Sequence, residues 1–169
     1  GQACGTNALA AVGSTGNLTN LVVNFYVGLS TGASVVIAQY YGAHNKGKIH
    51  QAVHTSYMLA IVSGIIMMLF GLFFSYQCLD AIGVPHDILN DASLYMRLYF
   101  LGMIPGAIYN IGSGILRAVG DSKRPLYYLI ICSIVNVVYD FVLVVILHKG
   151  IAGAAIATFI AQTVCAILV

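Results

Sequence analysis

A carboxylate and an amide lie one helical turn apart inside a long apolar stretch of this chain. Asp140 is the only Asp, Glu, Lys or Arg between Leu126 and Leu147, and Asn136 lies four residues before it. In a helix this spacing places both side chains on one face. A carboxylate at bilayer depth costs at least ~2.5 to 3.5 kcal/mol to insert, so such a residue usually handles an ion or a proton. The pair therefore predicts a cation or proton site within a membrane helix.

The composition is that of a membrane protein. The chain is 60% hydrophobic and only 7% charged, with a mean hydropathy of +0.92, whereas a typical soluble domain is about 25% charged. No charged residue precedes Lys46, and Ile49–Leu79 holds none except His. The net charge of +2 is too small to indicate a nucleic-acid partner. We therefore predict an all-α, polytopic protein in the inner or plasma membrane, surrounded by the lipid bilayer.

Five apolar stretches have the length of membrane spans, which need about 20 residues each. The predicted helices are Gly16–Tyr40, Gln51–Ser75, Ala92–Leu116, Leu126–Leu147 and Ile151–Val169. We expect the last of these to be cut short by the end of the chain.

Basic residues are distributed unevenly over the connections, which predicts the orientation. Five lie in the first and third connections, Tyr41–His50 and Arg117–Pro125, against Lys149 in the fourth and Arg97 near the second. The first and third connections are therefore expected in the cytoplasm, with the start of the chain outside.

Small residues and one proline predict local features of the helices. Gly28 with Gly32, and Gly102 with Gly106, recur at the four-residue spacing through which membrane helices pack closely. Pro105 removes one backbone hydrogen bond near the middle of the third helix and should kink it. Both glycine pairs are thus expected to face neighbouring helices rather than lipid.

Other polar residues do not form a catalytic pattern. His50 and His54 have a spacing that can ligate a metal, but no further ligands recur at that depth, so interfacial histidines are the simpler interpretation and no metal is predicted. Arg97 can extend its side chain to the membrane surface as an anchor. No phosphate-binding loop or nucleophile motif is present in the sequence. An enzyme is therefore not expected, and no cofactor is predicted.

The four cysteines show no CxxC spacing. Buried cysteine acting as a small hydrophobic residue is the expected role. A disulfide between Cys4 and Cys78 stays open as an alternative, because both would lie on one side of the membrane.

Three stretches together resemble the multidrug and toxic compound extrusion (MATE) transporters. GLSTGASVVIAQYYGA at residues 28–43 is similar to the second helix of the family and its first cytoplasmic loop. GILRAVGDSKRP at 114–125 is similar to the segment between the fourth and fifth helices. NVVYD at 136–140, followed by GIAGAAIAT at 150–158, resembles the fifth helix and the start of the sixth.

The resemblance implies a fold and an activity. Residues 1–169 would form part of an N-terminal six-helix lobe, as the second to sixth helices of a twelve-helix transporter without its first helix and C-terminal lobe. The activity would be antiport, in which drugs or organic cations leave as Na+ or H+ enters. By the same match, Asp140 and Asn136 would form the coupling-ion site with Thr158 of the sixth helix, and Tyr95 would add an aromatic hydroxyl. The remaining helices of the full-length transporter would be its partners.

Two other functions stay open. A lipid-linked oligosaccharide flippase of the same superfamily would be expected to carry more basic residues in its cavity, where only Arg97 is available. A scaffold subunit without transport activity would use the polar pair only to hold helices together.

Overall fold

The computed structural model describes residues 5–148 and 150–169, and these residues form helices without any strand. The helices are α1 (Gly5–Gly42), α2 (Lys46–Ala81), α3 (His86–Leu101), α4 (Met103–Ala118), α5 (Lys123–Asp140, continued by a π-helical end, Phe141–Ile146) and α6 (Gly150–Leu168). The all-α prediction is confirmed.

The helices account for five membrane spans. Four helices are long and apolar enough to cross a membrane, and α3 with α4 forms a fifth span that is bent by 48°. The 36 residues of α2 extend roughly 54 Å at 1.5 Å per residue, beyond the ~30 Å hydrocarbon core. The predicted spans are therefore confirmed, and most of the helices begin several residues before the predicted bounds.

The predicted kink in the third span is a break between two helices. Helix α3 ends at Leu101 and α4 begins at Met103, one residue on either side of Gly102. Pro105, in the first turn of α4, has no N–H to offer the Leu101 carbonyl, and its ring would clash with that carbonyl in a continuous helix. The bend consequently lies almost one turn before the proline.

One of the two predicted glycine contacts is confirmed. A Cβ at Gly102 would lie 3.2 Å from the Tyr99 carbonyl oxygen and 3.8 Å from the Cα of Phe159 in α6. The Gly106 backbone lies directly against the side chain of Gln162, also in α6. This pair therefore brings α4 close to α6.

The prediction for Gly28 and Gly32 is wrong within the described chain. Both glycines are exposed, and a Cβ added to either would meet nothing within 4 Å. The buried face of α1 carries Val22, Tyr26 and Ser30, which follow one another at four-residue steps. Gly28 and Gly32 each lie two residues from this series, which is about 200° around the helix. They consequently occupy the opposite face.

The core is formed where α1 and α2 pack on the bent span. Helix α1 packs mainly on α4, α2 packs on both α3 and α4, and α5 packs mainly on α6. Leu79, Leu89, Met96 and Ile111 are among the fully buried side chains at these contacts. Many large apolar side chains face outward, such as Phe73 at 68% exposure, as expected for a surface in lipid.

A tight connection sets the start of α5. Gly120 has φ of +91°, a left-handed conformation that glycine adopts without strain, and its N–H donates to the Arg117 carbonyl at 3.1 Å. Asp121 then accepts from the backbone N–H of Arg124 at 3.2 Å and pairs with the guanidinium of that residue at 3.0 Å. The turn reverses the chain and aligns α5 for its contact with α6.

Candidate functional site in helices α3 to α6

Asp140 lies where α5 changes from α-helical to π-helical winding, at the start of Phe141–Ile146. Such π segments are uncommon and frequently occur at functional sites. The Oδ1 atom of Asp140 is buried and has no hydrogen-bond partner among the described residues. The side chain as a whole is half-buried. A buried carboxylate oxygen without a donor makes the anion costly, but a bound proton or cation reduces that cost. The environment of Asp140 is thus suited to reversible neutralisation.

A cavity of about 390 Å³ lies between α4, α5 and α6. Asn136 and Thr158, two of the four predicted site residues, both line it. The Thr158 hydroxyl donates to the Ala154 carbonyl at 3.0 Å, so its oxygen can still accept or coordinate. Asp140 is not among the lining residues, but it lies one turn beyond Asn136 on α5. The fold therefore places the predicted ligands of two helices side by side.

Tyr95, the fourth predicted site residue, lies on α3. The charge of Asp140 acts on its hydroxyl from a distance, because α3 and α5 do not pack against each other. The Tyr95 ring stacks on Tyr99, with 6.2 Å between ring centroids, which orients the side chain. The structure thus brings Asn136 and Thr158 together in the cavity, with Asp140 one turn beyond Asn136 on α5, whereas Tyr95 lies on a separate helix outside the lining.

The cavity also contains two amide side chains that the sequence analysis did not identify. Asn110 of α4 and Gln162 of α6 line it together with Asn136. The Asn110 side chain donates from Nδ2 to the Gly106 carbonyl at 2.8 Å, which leaves its own oxygen available. A sequence pattern could have predicted Gln162, because it lies four residues after Thr158, the same spacing that separates Asn136 from Asp140. Asn110 had no comparable polar neighbour and could be placed only by the fold.

Two cysteines in the cavity lining form a disulfide. Cys132 of α5 and Cys165 of α6 are bonded, with a Cα–Cα distance of 5.8 Å. The expectation that the buried cysteines act only as small hydrophobic residues is wrong for this pair, because residues 33 positions apart meet across two packed helices. Cys78 forms no disulfide within the described residues, and Cys4, its suggested partner, lies outside them.

The lining of this cavity mixes polar and apolar side chains and carries no charge, since no Lys, Arg, Asp or Glu side chain contributes to it. Arg97 is exposed and lies elsewhere on α3. Within residues 5–148 and 150–169, no three His, Cys, Asp or Glu side chains converge as metal ligands would. The arrangement can hold one positive charge at Asp140 beside a neutral, hydrogen-bonding chamber.

Comparisons with known proteins agree on one family. The family model described as MatE matches residues 1–142. The chain is 32% identical to the probable multidrug resistance protein YoeA of Bacillus subtilis and 27% identical to YpnP of that organism, another probable multidrug resistance protein. These matches cover 100% and 96% of the chain but only 37% and 36% of the relatives.

A solved structure described as MATE in the bent conformation superposes with a TM-score of 0.93 at 27% identity. That match covers 97% of this chain and 37% of the other. The chain thus spans little more than a third of the length of the proteins it resembles.

Proposed function

This chain belongs to the MatE family of transporters, and we propose that the full-length protein is a secondary antiporter that exports drugs or organic cations as Na+ or H+ enters. Within it, residues 1–169 form the second to sixth helices of the N-terminal lobe, in the cell membrane. The names of the two Bacillus relatives support the substrate class. The observation that carries the proposal is the buried Oδ1 atom of Asp140, which has no hydrogen-bond partner among the described residues and lies one turn from a cavity that Asn136 and Thr158 line.

The chemistry of the site accounts for coupling between ion and substrate. Asp140 is stable in this environment when a proton, Na+ or a cationic substrate neutralises it. A single carboxylate balances one positive charge, so the coupling ion and a cationic substrate compete for it. Binding of the coupling ion therefore weakens binding of the substrate, and binding of the substrate weakens binding of the ion. The oxygens of Asn136 and Thr158 are ligands that a hard cation such as Na+ accepts. Tyr95 of α3 stays the fourth proposed residue, whose hydroxyl responds to the charge of Asp140.

Asp140→Asn in the full-length transporter tests the proposal. Asparagine keeps the shape of the side chain but can neither bind a proton nor balance a cation, so gradient-driven efflux should fall to the background of empty vesicles. Insertion and abundance should persist, because the variant buries no charge. Efflux is measured in everted vesicles under two conditions: an imposed Na+ gradient at constant pH, and a pH gradient without Na+. The condition that drives efflux by the wild type also identifies the coupling ion.

Asp121→Asn is the matched control, because it removes a carboxylate that lies in a connection and pairs with Arg124. It should transport as the wild type does. Normal efflux by the Asp140→Asn protein would refute the assignment of the site, and equal loss in both variants would indicate a general effect of removing a carboxylate.

A further inference from the structure

A second cavity, of about 570 Å³, opens between α1 and α2, and no predicted site residue lines it. Its long walls are apolar and include Gly28, Gly32 and Leu59. Lys48, Tyr40 and Gln51 line one end, the hydroxyl residues Thr55 and Ser56 follow further along α2, and the single charged side chain of the lining is that of Lys48. The cavity is therefore amphipathic along its length, and we call it the α1–α2 groove.

The polar end of the α1–α2 groove has an uncompensated positive charge. Lys48 Nζ lies 5.5 Å from the centroid of the Tyr40 ring, which holds the ammonium group over the groove. The first acidic residue in the sequence is Asp80, near the opposite end of α2. Among the described residues, a single ion pair involves a lysine or an arginine, and it joins Arg124 to Asp121. Lys48 therefore has no acidic partner among these residues and is available to an external anion.

The groove has the length of one lipid leaflet. Tyr40 and Gly28 are twelve residues apart on α1, which is roughly 18 Å at 1.5 Å per residue. Half of the ~30 Å hydrocarbon core is about 15 Å. A molecule with its charged group at Lys48 would thus reach the middle of the bilayer at Gly28. The two glycines leave this path open, because a Cβ at either position would meet nothing within 4 Å.

We propose that the α1–α2 groove binds one anionic phospholipid, with its phosphate at Lys48 and an acyl chain along Gly28 and Gly32. Basic pockets between membrane helices bind anionic lipid headgroups in this way. The apolar walls accommodate the acyl chain, which a free phosphate ion lacks. The inference does not depend on the proposed antiport, because it concerns a different cavity and predicts binding rather than transport.

The test measures lipid bound to the delipidated full-length transporter by native mass spectrometry, with phosphatidylglycerol or phosphatidylcholine of equal chain length as the probe. The wild type should bind one phosphatidylglycerol more tightly than phosphatidylcholine. Lys48→Gln should weaken phosphatidylglycerol binding about fivefold, the factor expected for one lysine at an anionic surface, and Lys48→Arg should preserve it. Gly32→Phe, which fills the groove, should weaken binding of both lipids.

Lys123→Gln is the matched control, because Lys123 is an exposed lysine that does not line the groove. It should bind both lipids as the wild type does, and millimolar inorganic phosphate should not displace phosphatidylglycerol. The proposal fails if Lys48→Gln and Lys123→Gln have equal effects, or if phosphate displaces the lipid. It also fails if Gly32→Phe retains both lipids, which is the result expected if another helix of the transporter covers the groove.

Discussion

Replacing Gly114 with alanine tests the contact between α1 and α4. An added Cβ would press on the hydroxyl groups of Ser30 and Ser34 and lie 3.0 Å from the Ser30 carbonyl oxygen. Overpacking of this kind costs roughly 1–3 kcal/mol. Moving the Ser30 hydroxyl would also break its 2.6 Å hydrogen bond to the Asn110 carbonyl, which is worth about 1 kcal/mol. Alanine recovers about 1 kcal/mol of helix propensity, so the net loss of stability is about 2 kcal/mol.

That loss should lower the thermal midpoint of the full-length transporter in detergent by roughly 4–8 °C, at 2–4 °C per kcal/mol for a domain of this size. The assay is the fraction of monodisperse protein that remains after heating, measured by size-exclusion chromatography. Gly28→Ala is the matched control, because its Cβ would meet nothing within 4 Å, and its midpoint should stay the same or rise.

Ser30→Ala should partly restore the Gly114→Ala variant, because it removes one of the hydroxyls that the new methyl group displaces. The two substitutions should therefore be less destabilising together than the sum of their separate effects, as expected for residues in contact. Equal midpoints for Gly114→Ala and Gly28→Ala would show that α1 and α4 do not pack through Gly114.

Two further predictions concern the cavity between α4, α5 and α6. Asn136→Ala should weaken ion-coupled efflux less than Asp140→Asn does, and Thr158→Ala should weaken it less again. The reason is that a neutral ligand contributes less than a carboxylate to a cation site where water is scarce. The measurement is the initial efflux rate at limiting Na+ or H+, and equal losses in the three variants would contradict this order. Alkylation of the denatured, unreduced protein should modify Cys78 but leave Cys132 and Cys165 unmodified until a reductant is added. Peptide mass spectrometry identifies the alkylated cysteines. Alkylation of Cys132 and Cys165 without reduction would contradict the disulfide.

Much of this protein can be predicted from patterns within single helices. Apolar stretches of membrane length, with at most one charged residue each, predict the five spans, because the bilayer core requires about 20 apolar residues whatever the neighbouring helices are. The four-residue spacing of Asn136 and Asp140 places them on one face, because the helical period is local. Pro105 predicts the bend near Gly102 for the same reason, since the missing hydrogen bond joins residues of one turn.

The contacts between helices follow from the tertiary structure, because they join residues far apart in the sequence. Four-residue spacing makes Gly28–Gly32 and Gly102–Gly106 equivalent candidates, yet among the described residues the second pair contacts α6 whereas a Cβ at Gly28 or Gly32 would meet nothing within 4 Å. The meeting of Cys132 with Cys165 depends on how α5 packs on α6, which no local pattern encodes. The shared cavity of Asn136 and Thr158 likewise depends on the rotation and depth of α4, α5 and α6 at once.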